Sequence, residues 1–282
     1  MKIFVWILLF LLVINVIAAL ITVFRKPRSI SSVLAWMMTL IFLPGIGFII
    51  YLFCGRGIDG QEVFKLSDDE KQMVQRIKEK VDIDNKKAGR DKRYDLLYDA
   101  KVLNRYFRNM DASPLAKRNS LQLFTDGQEK FQALFEDIRA AKETVHVEYY
   151  AFFNDTIGNQ FLDVLIEKLH EGVEVYLIYD PWGSPGANKK FFARYVDAGG
   201  KVAPFITSRD MIRKTRLNYH LHRKIVVIDG KIGWTGGFNV GDQYLNVTEK
   251  FGYWRDTHIR LVGTAVFSLQ EIFIMDWNDY VK

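Results

Sequence analysis

Residues 220–239 bring together the side-chain types that phosphodiester chemistry needs. The segment reads HLHRKIVVIDGKIGWTGGFN. An imidazole, which is largely neutral near pH 7, can attack phosphorus and form a covalent phosphohistidine. Side chains alternate between the two faces of a strand, so His222 and Lys224 are expected on the same face. We therefore predict that His222 is the nucleophile and that Lys224 binds the nonbridging phosphate oxygens.

The other polar and small residues of this segment suit the same chemistry. Gly236 and Gly237 would let the backbone approach a phosphate closely, and Asn239 would supply an amide donor. Asp229 has the opposite parity to His222 and lies where the strand ends, so a turn would have to redirect its side chain. These groups can neutralise a phosphate by themselves, so neither a metal ion nor another cofactor is expected.

The elements that must position these residues alternate between strand and helix patterns from about residue 121 onward. Asp126 followed by Glu129 predicts a helix start, and Asp229-Gly230 between two apolar runs predicts a two-residue hairpin turn. Further strands are predicted at 144–153, 173–180, 201–206 and 256–263, with helices over 126–141, 156–171, 187–198 and from 264 onward. This alternation predicts an α/β sandwich with a mixed or parallel sheet.

The N-terminal residues differ in composition from the rest. No acidic residue occurs between Lys2 and Arg56, and two apolar runs, 3–24 and 30–53, each exceed the roughly 20 helical residues that cross a bilayer. We predict two transmembrane helices, with a kink or break near Pro44 and Gly45. A cleaved signal peptide is the alternative for the first run, but a second run follows directly. Basic residues flank the second run on both sides, so the side of the membrane is undecided.

A charged segment separates the apolar runs from the α/β pattern. Ser67 followed by Glu70 resembles a capping box, and residues 73–81 carry apolar side chains at helical spacing. A solvated surface helix is the preferred interpretation, and a helix lying on the bilayer is the alternative. A second helical pattern covers 92–108. The single cysteine, Cys54, allows no internal disulfide.

The net charge is concentrated near the N-terminus, which bears on the kind of substrate. Of the formal net charge of +6, five positive charges come from residues before 57, so the remainder is close to neutral. This distribution argues weakly for nucleic acid, and no nucleic-acid partner is expected. The five residues are Lys2, Arg25, Lys26, Arg28 and Arg56.

The order of the motifs resembles a known family. The pattern from His222 through Lys224 and Asp229 to Asn239 is similar to the HKD box of the phospholipase D superfamily. The flanking segments LPGIGFIIYLFCGRG, EYYAFFNDTIG, YDPWGS and WRDTHIRLVG occur in the order that is typical of bacterial cardiolipin synthases. The resemblance implies a phospholipase D-like α/β sandwich over 119–282, preceded by a two-helix transmembrane anchor over 1–57 and a charged helical linker over 58–118.

The resemblance also implies roles for individual residues. His222 would be the nucleophile, Lys224 and Asn239 would bind phosphate, Asp229 would be a supporting carboxylate, and the two glycines would shape the pocket. Three further polar residues are candidates for the pocket, although structural or exposed roles would leave the same sequence. They are His220, Glu148 and His258.

The presence of one HKD box in 282 residues raises a mechanistic question. While one histidine is bonded to phosphorus, another acid must protonate the departing glycerol oxygen. Superfamily members use two boxes facing one cleft, so the second box is expected from a missing C-terminal half or from a second copy of the chain.

The resemblance predicts a multi-pass cell-membrane phosphatidyltransferase that makes cardiolipin from two phosphatidylglycerol molecules. The alternatives are a hydrolase of the phospholipase D type or a nuclease acting as a homodimer, and an incomplete half that only binds membrane or a partner. The near-neutral body disfavours the nuclease.

Overall fold

The computed structural model describes residues 29–55 except Pro44, 67–88, 116–205, 220–247 and 249–280, with residues 5–7, 10–11, 13–14, 17, 21, 102–103 and 105–106. The chain divides into two compact units, one formed by 1–63 with 206–219 and the other by 64–205 with 220–282. More than half of the first predicted span and most of the helical pattern at 92–108 lie outside the described residues.

The second apolar run of the first unit is broken, as its Pro-Gly segment predicts. Helix α1 covers Ile30–Phe42 and is capped by the Ser29 hydroxyl, whereas α2 covers only Ile46–Ile50 and continues into a π-helical turn, Tyr51–Gly55. Gly45, between the helices, has φ 83°, a conformation that favours glycine. None of the helices in the described part of the chain has both the length and the apolar character that crossing a bilayer requires.

The second unit begins with α3, Asp68–Ala88. The predicted capping box is present, because the Ser67 backbone N–H donates to Glu70 Oε2 at 2.7 Å and the Glu70 N–H donates to the Ser67 hydroxyl at 3.3 Å. The apolar stripe of α3 lines a groove whose other wall is the C-terminal helix, α7. Asn278 of α7 donates to the Glu70 carboxylate at 2.6 Å.

The main body of this unit is a seven-stranded mixed sheet, which confirms the predicted fold class. Its order is β1-β7-β6-β5-β2-β3-β4, in which β2, β3 and β4 are parallel and the other neighbouring pairs are antiparallel. The strands are β1 Ser120–Phe124, β2 Thr144–Tyr149, β3 Glu174–Tyr179, β4 Lys201–Pro204, β5 Lys224–Ile228, β6 Ile232–Gly236 and β7 His258–Val262. The helices are α4 Gly127–Arg139, α5 Thr156–His170, α6 Lys189–Asp197 and α7 Val266–Tyr280.

Helices cover both faces of the sheet. On one face, α4, α5 and α6 bury a large apolar cluster that includes Phe131, Phe161 and Trp234. On the other face, α7 packs on Ile225, Val227 and neighbouring side chains. Residues of β5 alternate between these two layers, so its even-numbered positions face α4 to α6 and its odd-numbered positions face α7.

The hairpin between β5 and β6 forms where the sequence predicts it. Asp229 and Gly230 have φ 50° and 61°, the two positive values that a type I′ turn requires. The predicted helix starting near Asp126 is also confirmed, with the Asp126 carboxylate accepting from the N–H groups of Gln128 and Glu129. Strand β1 is the element that the sequence did not predict.

Candidate functional site

One edge of the sheet collects most of the predicted site residues. Strands β2, β3 and β6 end at this edge, whereas β5 and β7 begin there, because β5 and β7 run antiparallel to their neighbours. His222 lies just before β5, Gly236 ends β6, and His258 begins β7. We call this the site edge.

His222 is presented to solvent at the site edge. Its side chain is exposed, and its ring centroid lies 4.8 Å from that of Tyr150. The Tyr150 N–H donates to the Arg223 carbonyl at 3.0 Å, which extends the β2–β5 ladder beyond the regular strands. The backbone around the histidine is therefore held by the sheet while the imidazole stays accessible.

Lys224 lies beneath the exposed histidine. Only 4% of this residue is accessible, and its ammonium nitrogen lies 5.3 Å from the centroid of the Tyr150 ring. Burial lowers the pKa of Lys224, and the negative charge of Asp256 opposes that shift. The structure thus places His222 and Lys224 around one tyrosine ring, with Asp256 near enough to act on the ammonium charge.

Asn239 is buried at the same edge and its amide orientation is determined by the backbone. Its Oδ1 accepts from the Ala151 N–H at 3.1 Å, and its Nδ2 donates to the Tyr244 hydroxyl at 2.7 Å. Because a backbone N–H can only donate, the oxygen must face Ala151 and the amino group must face Tyr244. An amide NH₂ has two hydrogens. The second has no hydrogen-bond partner among the described residues.

The two glycines allow close contact with the loop before β7. A Cβ on Gly237 would lie 1.8 Å from Asp256 Oδ1, and a Cβ on Gly236 would lie 2.4 Å from the Thr257 carbonyl oxygen. The Gly237 N–H donates to the same Thr257 carbonyl at 2.8 Å. The close approach that the glycines allow is therefore made to Asp256 and Thr257.

Asp229 is not brought to the other site residues. It lies seven residues beyond His222, which is about 23 Å along an extended strand, at the opposite edge of the sheet. Its Oδ1 accepts from the N–H groups of Glu143 and Thr144 at 2.8 and 2.9 Å, and its Oδ2 accepts from the Lys142 N–H at 2.9 Å. Burial raises the pKa of Asp229, but these three donors together lower it below its ordinary value.

His220 lies at the site edge beside a buried carboxylate. Its Nδ1 is 3.4 Å from Asp180 Oδ2 without hydrogen-bond geometry, and its ring centroid is 5.8 Å from that of Trp182. Asp180 is 1% exposed and accepts from the N–H groups of Leu221, Trp182 and Gly183. This carboxylate therefore fixes the backbone before β5 to the loop after β3.

Glu148 faces α7, on the opposite side of the sheet from Lys224. Neither of its carboxylate oxygens has a hydrogen-bond partner, and Arg223 Nη1 lies 3.9 Å from Oε1. Burial raises the pKa of Glu148 to about 7, although the Arg223 charge opposes this shift. The same guanidinium bonds to Asp276 of α7. Glu148 is thus part of a charge cluster with Arg223 and Asp276 on the α7 side of β5.

His258 is fully buried beside Gly236, and both of its ring nitrogens lack a hydrogen-bond partner. Burial lowers the pKa of His258 well below its ordinary value, and the positive charges of Lys130 and Lys224 lower it further. Lys130 is itself fully buried and donates to the Tyr149 hydroxyl at 3.0 Å. His258 therefore remains a neutral group behind Lys224.

Four of these residues were not predicted from the sequence. Asp256 lies in the WRDTH segment, where its neighbour His258 was considered instead, and Tyr244 lies in a loop with no distinguishing pattern. Asp180 directly follows β3, in the segment YDPWGS. A carboxylate directly after a buried strand is a sequence signal that could have identified it. The fourth is Lys130. In the described ranges, no group of three or more His, Cys, Asp or Glu side chains is placed to hold a metal ion.

Comparison with known proteins shows which families this sequence resembles. The family described as "Cardiolipin synthase, PLD-like domain" matches residues 134–263, which include β2 to β7 and the whole site edge. Residues 134–263 are therefore similar to the PLD-like domains of this family. A second family, "Phospholipase_D-nuclease N-terminal", matches residues 13–56, the apolar part of the chain.

Curated relatives extend the similarity over almost the whole chain. It is 42% identical to a cardiolipin synthase of Listeria monocytogenes over 284 aligned residues, which cover 97% of this chain and 57% of the relative. It is 41% identical to the major cardiolipin synthase ClsA of Bacillus subtilis and to a cardiolipin synthase of Staphylococcus aureus, covering 94% of this chain and 55% and 54% of those relatives. The chain thus spans just over half the length of these relatives.

Proposed function

We propose that this chain carries the nucleophile half of a phosphatidyltransferase that makes cardiolipin from two phosphatidylglycerol molecules. The exposed His222, with Lys224 buried beneath it and Asn239 at the same edge, is the observation on which this proposal depends. The relatives named cardiolipin synthase support the lipid substrate.

In the first step, a nitrogen of the His222 imidazole forms a bond to the phosphorus of one phosphatidylglycerol. The bond from phosphorus to the terminal glycerol oxygen breaks, and glycerol leaves after accepting a proton. In the second step, a hydroxyl of another phosphatidylglycerol attacks the phosphohistidine and loses its proton, which gives cardiolipin and regenerates the imidazole. No redox agent is required, because one phosphodiester replaces another.

Lys224 and Asn239 would stabilise the charge that develops on the nonbridging oxygens. The ammonium group is largely removed from water, so its interaction with an oxyanion is stronger than at the surface. Asn239 would donate the N–H that does not bind Tyr244. The hydroxyl of Tyr244 and the Ala151 N–H hold the amide in place for this role. Asp229 would support the fold of the site from the opposite sheet edge.

A second proton-transferring group is still required, because His222 is occupied by phosphorus when glycerol needs a proton. We propose that it comes from a second HKD box, supplied by a further half of a longer polypeptide or by a second copy of this chain. The chain's coverage of 57% of the Listeria monocytogenes relative's length favours the first source.

The N-terminal residues are proposed to hold this chemistry at the cell membrane. The apolar runs within residues 1–57 support a multi-pass anchor, and the charged residues 58–118 would connect it to the domain at 119–282. The match of residues 13–56 to a phospholipase D N-terminal family supports the assignment of this region as a separate part of the protein.

Labelled phosphatidylglycerol tests the proposal directly. The chain, alone and mixed with the remaining half of a full-length relative, is incubated with the lipid in detergent micelles, and the products are separated by thin-layer chromatography. Cardiolipin with free glycerol is expected, and it should disappear in His222→Ala but persist in His170→Ala, because His170 is an exposed histidine at the end of α5.

Each other product pattern has a definite meaning. Phosphatidic acid without cardiolipin would identify a hydrolase. Product only after the second half is added would identify this chain as an incomplete half. Cardiolipin formed equally well by His222→Ala would refute the proposed nucleophile.

A further inference from the structure

Exposed aromatic side chains are concentrated at the site edge. Within residues 116–205, 220–247 and 249–280, the large aromatic residues classed as exposed are Trp182, Phe251 and Tyr253, at 59%, 49% and 73%. Trp182 follows β3, and the other two lie between β6 and β7, so all three belong to connections at this edge. Single exposed apolar residues are ordinary on protein surfaces, and Leu121, Leu123 and Val196 are exposed elsewhere, but within these ranges the exposed aromatic residues occur only at the site edge.

The chain holds two of these aromatics in a closed loop. Asn246 accepts from the Trp254 N–H at 2.6 Å and donates to the Trp254 carbonyl at 3.3 Å, so the two ends of residues 246–254 are joined. We call the described residues of this stretch, 246–247 and 249–254, the rim loop. Val247, Phe251 and Tyr253 lie inside it, and Val247 is 58% exposed.

The rim loop is connected to the phosphate residues. The Trp254 ring packs edge-on against Tyr244 with centroids 5.1 Å apart, and the Tyr244 hydroxyl accepts from Asn239. On the other side of the site, Trp182 lies 5.8 Å from the ring of His220. Exposed aromatic rings therefore lie on two connections that border the exposed His222.

The charges near these aromatics are of the kind that binds anionic lipid. Lys250 of the rim loop places its ammonium 5.2 Å from the Phe251 ring centroid, and Arg255 is an exposed residue directly after the loop. Lys189 and Lys190 are exposed after the loop that contains Trp182. Aromatic rings beside lysine and arginine are typical of surfaces at the boundary between headgroups and acyl chains.

We propose that the rim loop and Trp182 dock on the surface of a bilayer that contains anionic phospholipid. Phe251, Tyr253 and Trp182 insert at the headgroup boundary, and His222 then faces the plane in which lipid phosphates lie. This inference rests on the proposed function, because a lipid phosphodiester must reach His222 at this edge. It adds a contact by which the folded domain itself, independently of the N-terminal apolar residues, meets its substrate.

Depth-dependent quenching tests the docking without relying on activity. In a Cys54→Ser background of the full chain, Tyr253→Cys and Leu123→Cys are each labelled with an environment-sensitive fluorophore. Leu123 is the matched control, because it is 64% exposed on the outer strand β1. The proteins are placed in vesicles of phosphatidylglycerol and phosphatidylcholine that carry bromines near the top of the acyl chains.

The label at position 253 should be quenched at least about twofold more strongly than the label at 123, because an interfacial side chain reaches about 5–10 Å into the headgroup boundary. Equal quenching at both positions would overturn the proposal. In another outcome, the label at 253 is shielded from aqueous iodide, in vesicles and in detergent alike, without being quenched by the bromines. That result would show that a protein partner covers the rim loop, and it would also overturn the proposal.

Turnover gives a second and separate measurement. Phe251→Ser/Tyr253→Ser is compared with Leu121→Ser/Leu123→Ser, a pair of exposed apolar residues on β1. Cardiolipin formation from bilayer phosphatidylglycerol should fall by about tenfold in the rim-loop variant only. Formation from a short-chain phosphatidylglycerol dispersed below its micelle concentration should be unchanged in both.

Equal loss on bilayer and dispersed lipid would contradict a docking role for the loop. If the unsubstituted protein makes no product from either lipid, even with the second half added, the proposed function fails, while the quenching result still decides whether the loop meets the bilayer.

Discussion

Replacing Asp229 by alanine is expected to lower the free energy of unfolding by about 3 kcal/mol without removing the chemistry of His222. The carboxylate accepts three backbone N–H groups at 2.8 to 2.9 Å, from Lys142, Glu143 and Thr144. Water can replace the carboxylate at the N–H groups of Lys142 and Glu143, which lie at the surface. The partly buried Thr144 N–H would lose more hydrogen-bond free energy. A hydrogen bond to a charged acceptor contributes about 1.5–3 kcal/mol when it is well formed.

Asp229→Asn is the matched variant for this experiment. Asparagine tolerates the positive φ of 50° at this position and keeps one oxygen acceptor, so the expected loss is only about 1 kcal/mol. Urea unfolding followed by tryptophan fluorescence measures both values, and cardiolipin formation is normalised to the folded fraction. Both variants should retain most of their activity per folded molecule.

The pH dependence of stability gives a further check on Asp229. Its pKa in the folded state is lowered, so its contribution to stability is present above the unfolded pKa and is lost as the pH falls through the folded value. The difference between the unsubstituted protein and Asp229→Asn should therefore shrink below about pH 4. If Asp229→Asn instead keeps full stability and abolishes turnover as His222→Ala does, this carboxylate takes part in the chemistry and the structural assignment is wrong.

Three other substitutions give sharp expectations. Gly237→Ala places a Cβ 1.8 Å from Asp256 Oδ1, so the loop that contains Asp256 must move. The variant should be less stable in thermal unfolding, and its turnover should be lower. Lys224→Met keeps the buried volume but removes the phosphate-binding charge, so turnover should fall about 100-fold or more while urea unfolding shows no loss of stability. Burial raises the pKa of Glu148 to about 7 from 4.5. The free energy of unfolding should therefore decrease as the pH rises between these values, by at most about 1.4 kcal/mol per pH unit. In urea titrations, Glu148→Gln should remove that slope. An unchanged slope would show that Glu148 stays ionised.

The parts of the fold that the sequence predicted depend on local interactions. The Ser67 and Glu70 capping box, the Asp126 cap and the Asp229-Gly230 turn each join residues that are close in the chain, so their patterns are visible in one short segment. Strand β1 was missed because it is an edge strand of only five residues with four exposed positions, and its alternating Leu121 and Leu123 are themselves exposed. Its partner β7 lies far along the chain, because Phe124 pairs with His258, 134 residues later, and Ser120 pairs with Val262, 142 residues later.

The same distinction applies to the candidate site. Strand parity was enough to place His222 and Lys224 together, and the structure puts both beside Tyr150. Parity could not show that Asp229 would turn toward the chain segment that begins β2, since that contact joins residues 85 to 87 positions apart. Nor could it show that the polar side of β2, with Glu148, faces α7 whereas the polar side of β7, with His258, faces the side of Lys224, because alternation within one strand does not identify the layer that each face meets.

The electrostatics behind His222 explain why this edge suits an anion. Lys130 is fully buried with the Tyr149 hydroxyl as its hydrogen-bond partner, and burial lowers its pKa far below the ordinary value for lysine. Its charge and that of Lys224 both act on the buried His258, so the three groups share one region of low dielectric. Asp256 is the carboxylate that acts on Lys224. Bringing basic groups into an apolar interior costs free energy unless an opposite charge arrives, and a phosphodiester bound at His222 carries that charge. On the proposed function, binding of a phosphodiester would therefore offset part of the free-energy cost of burying these basic groups.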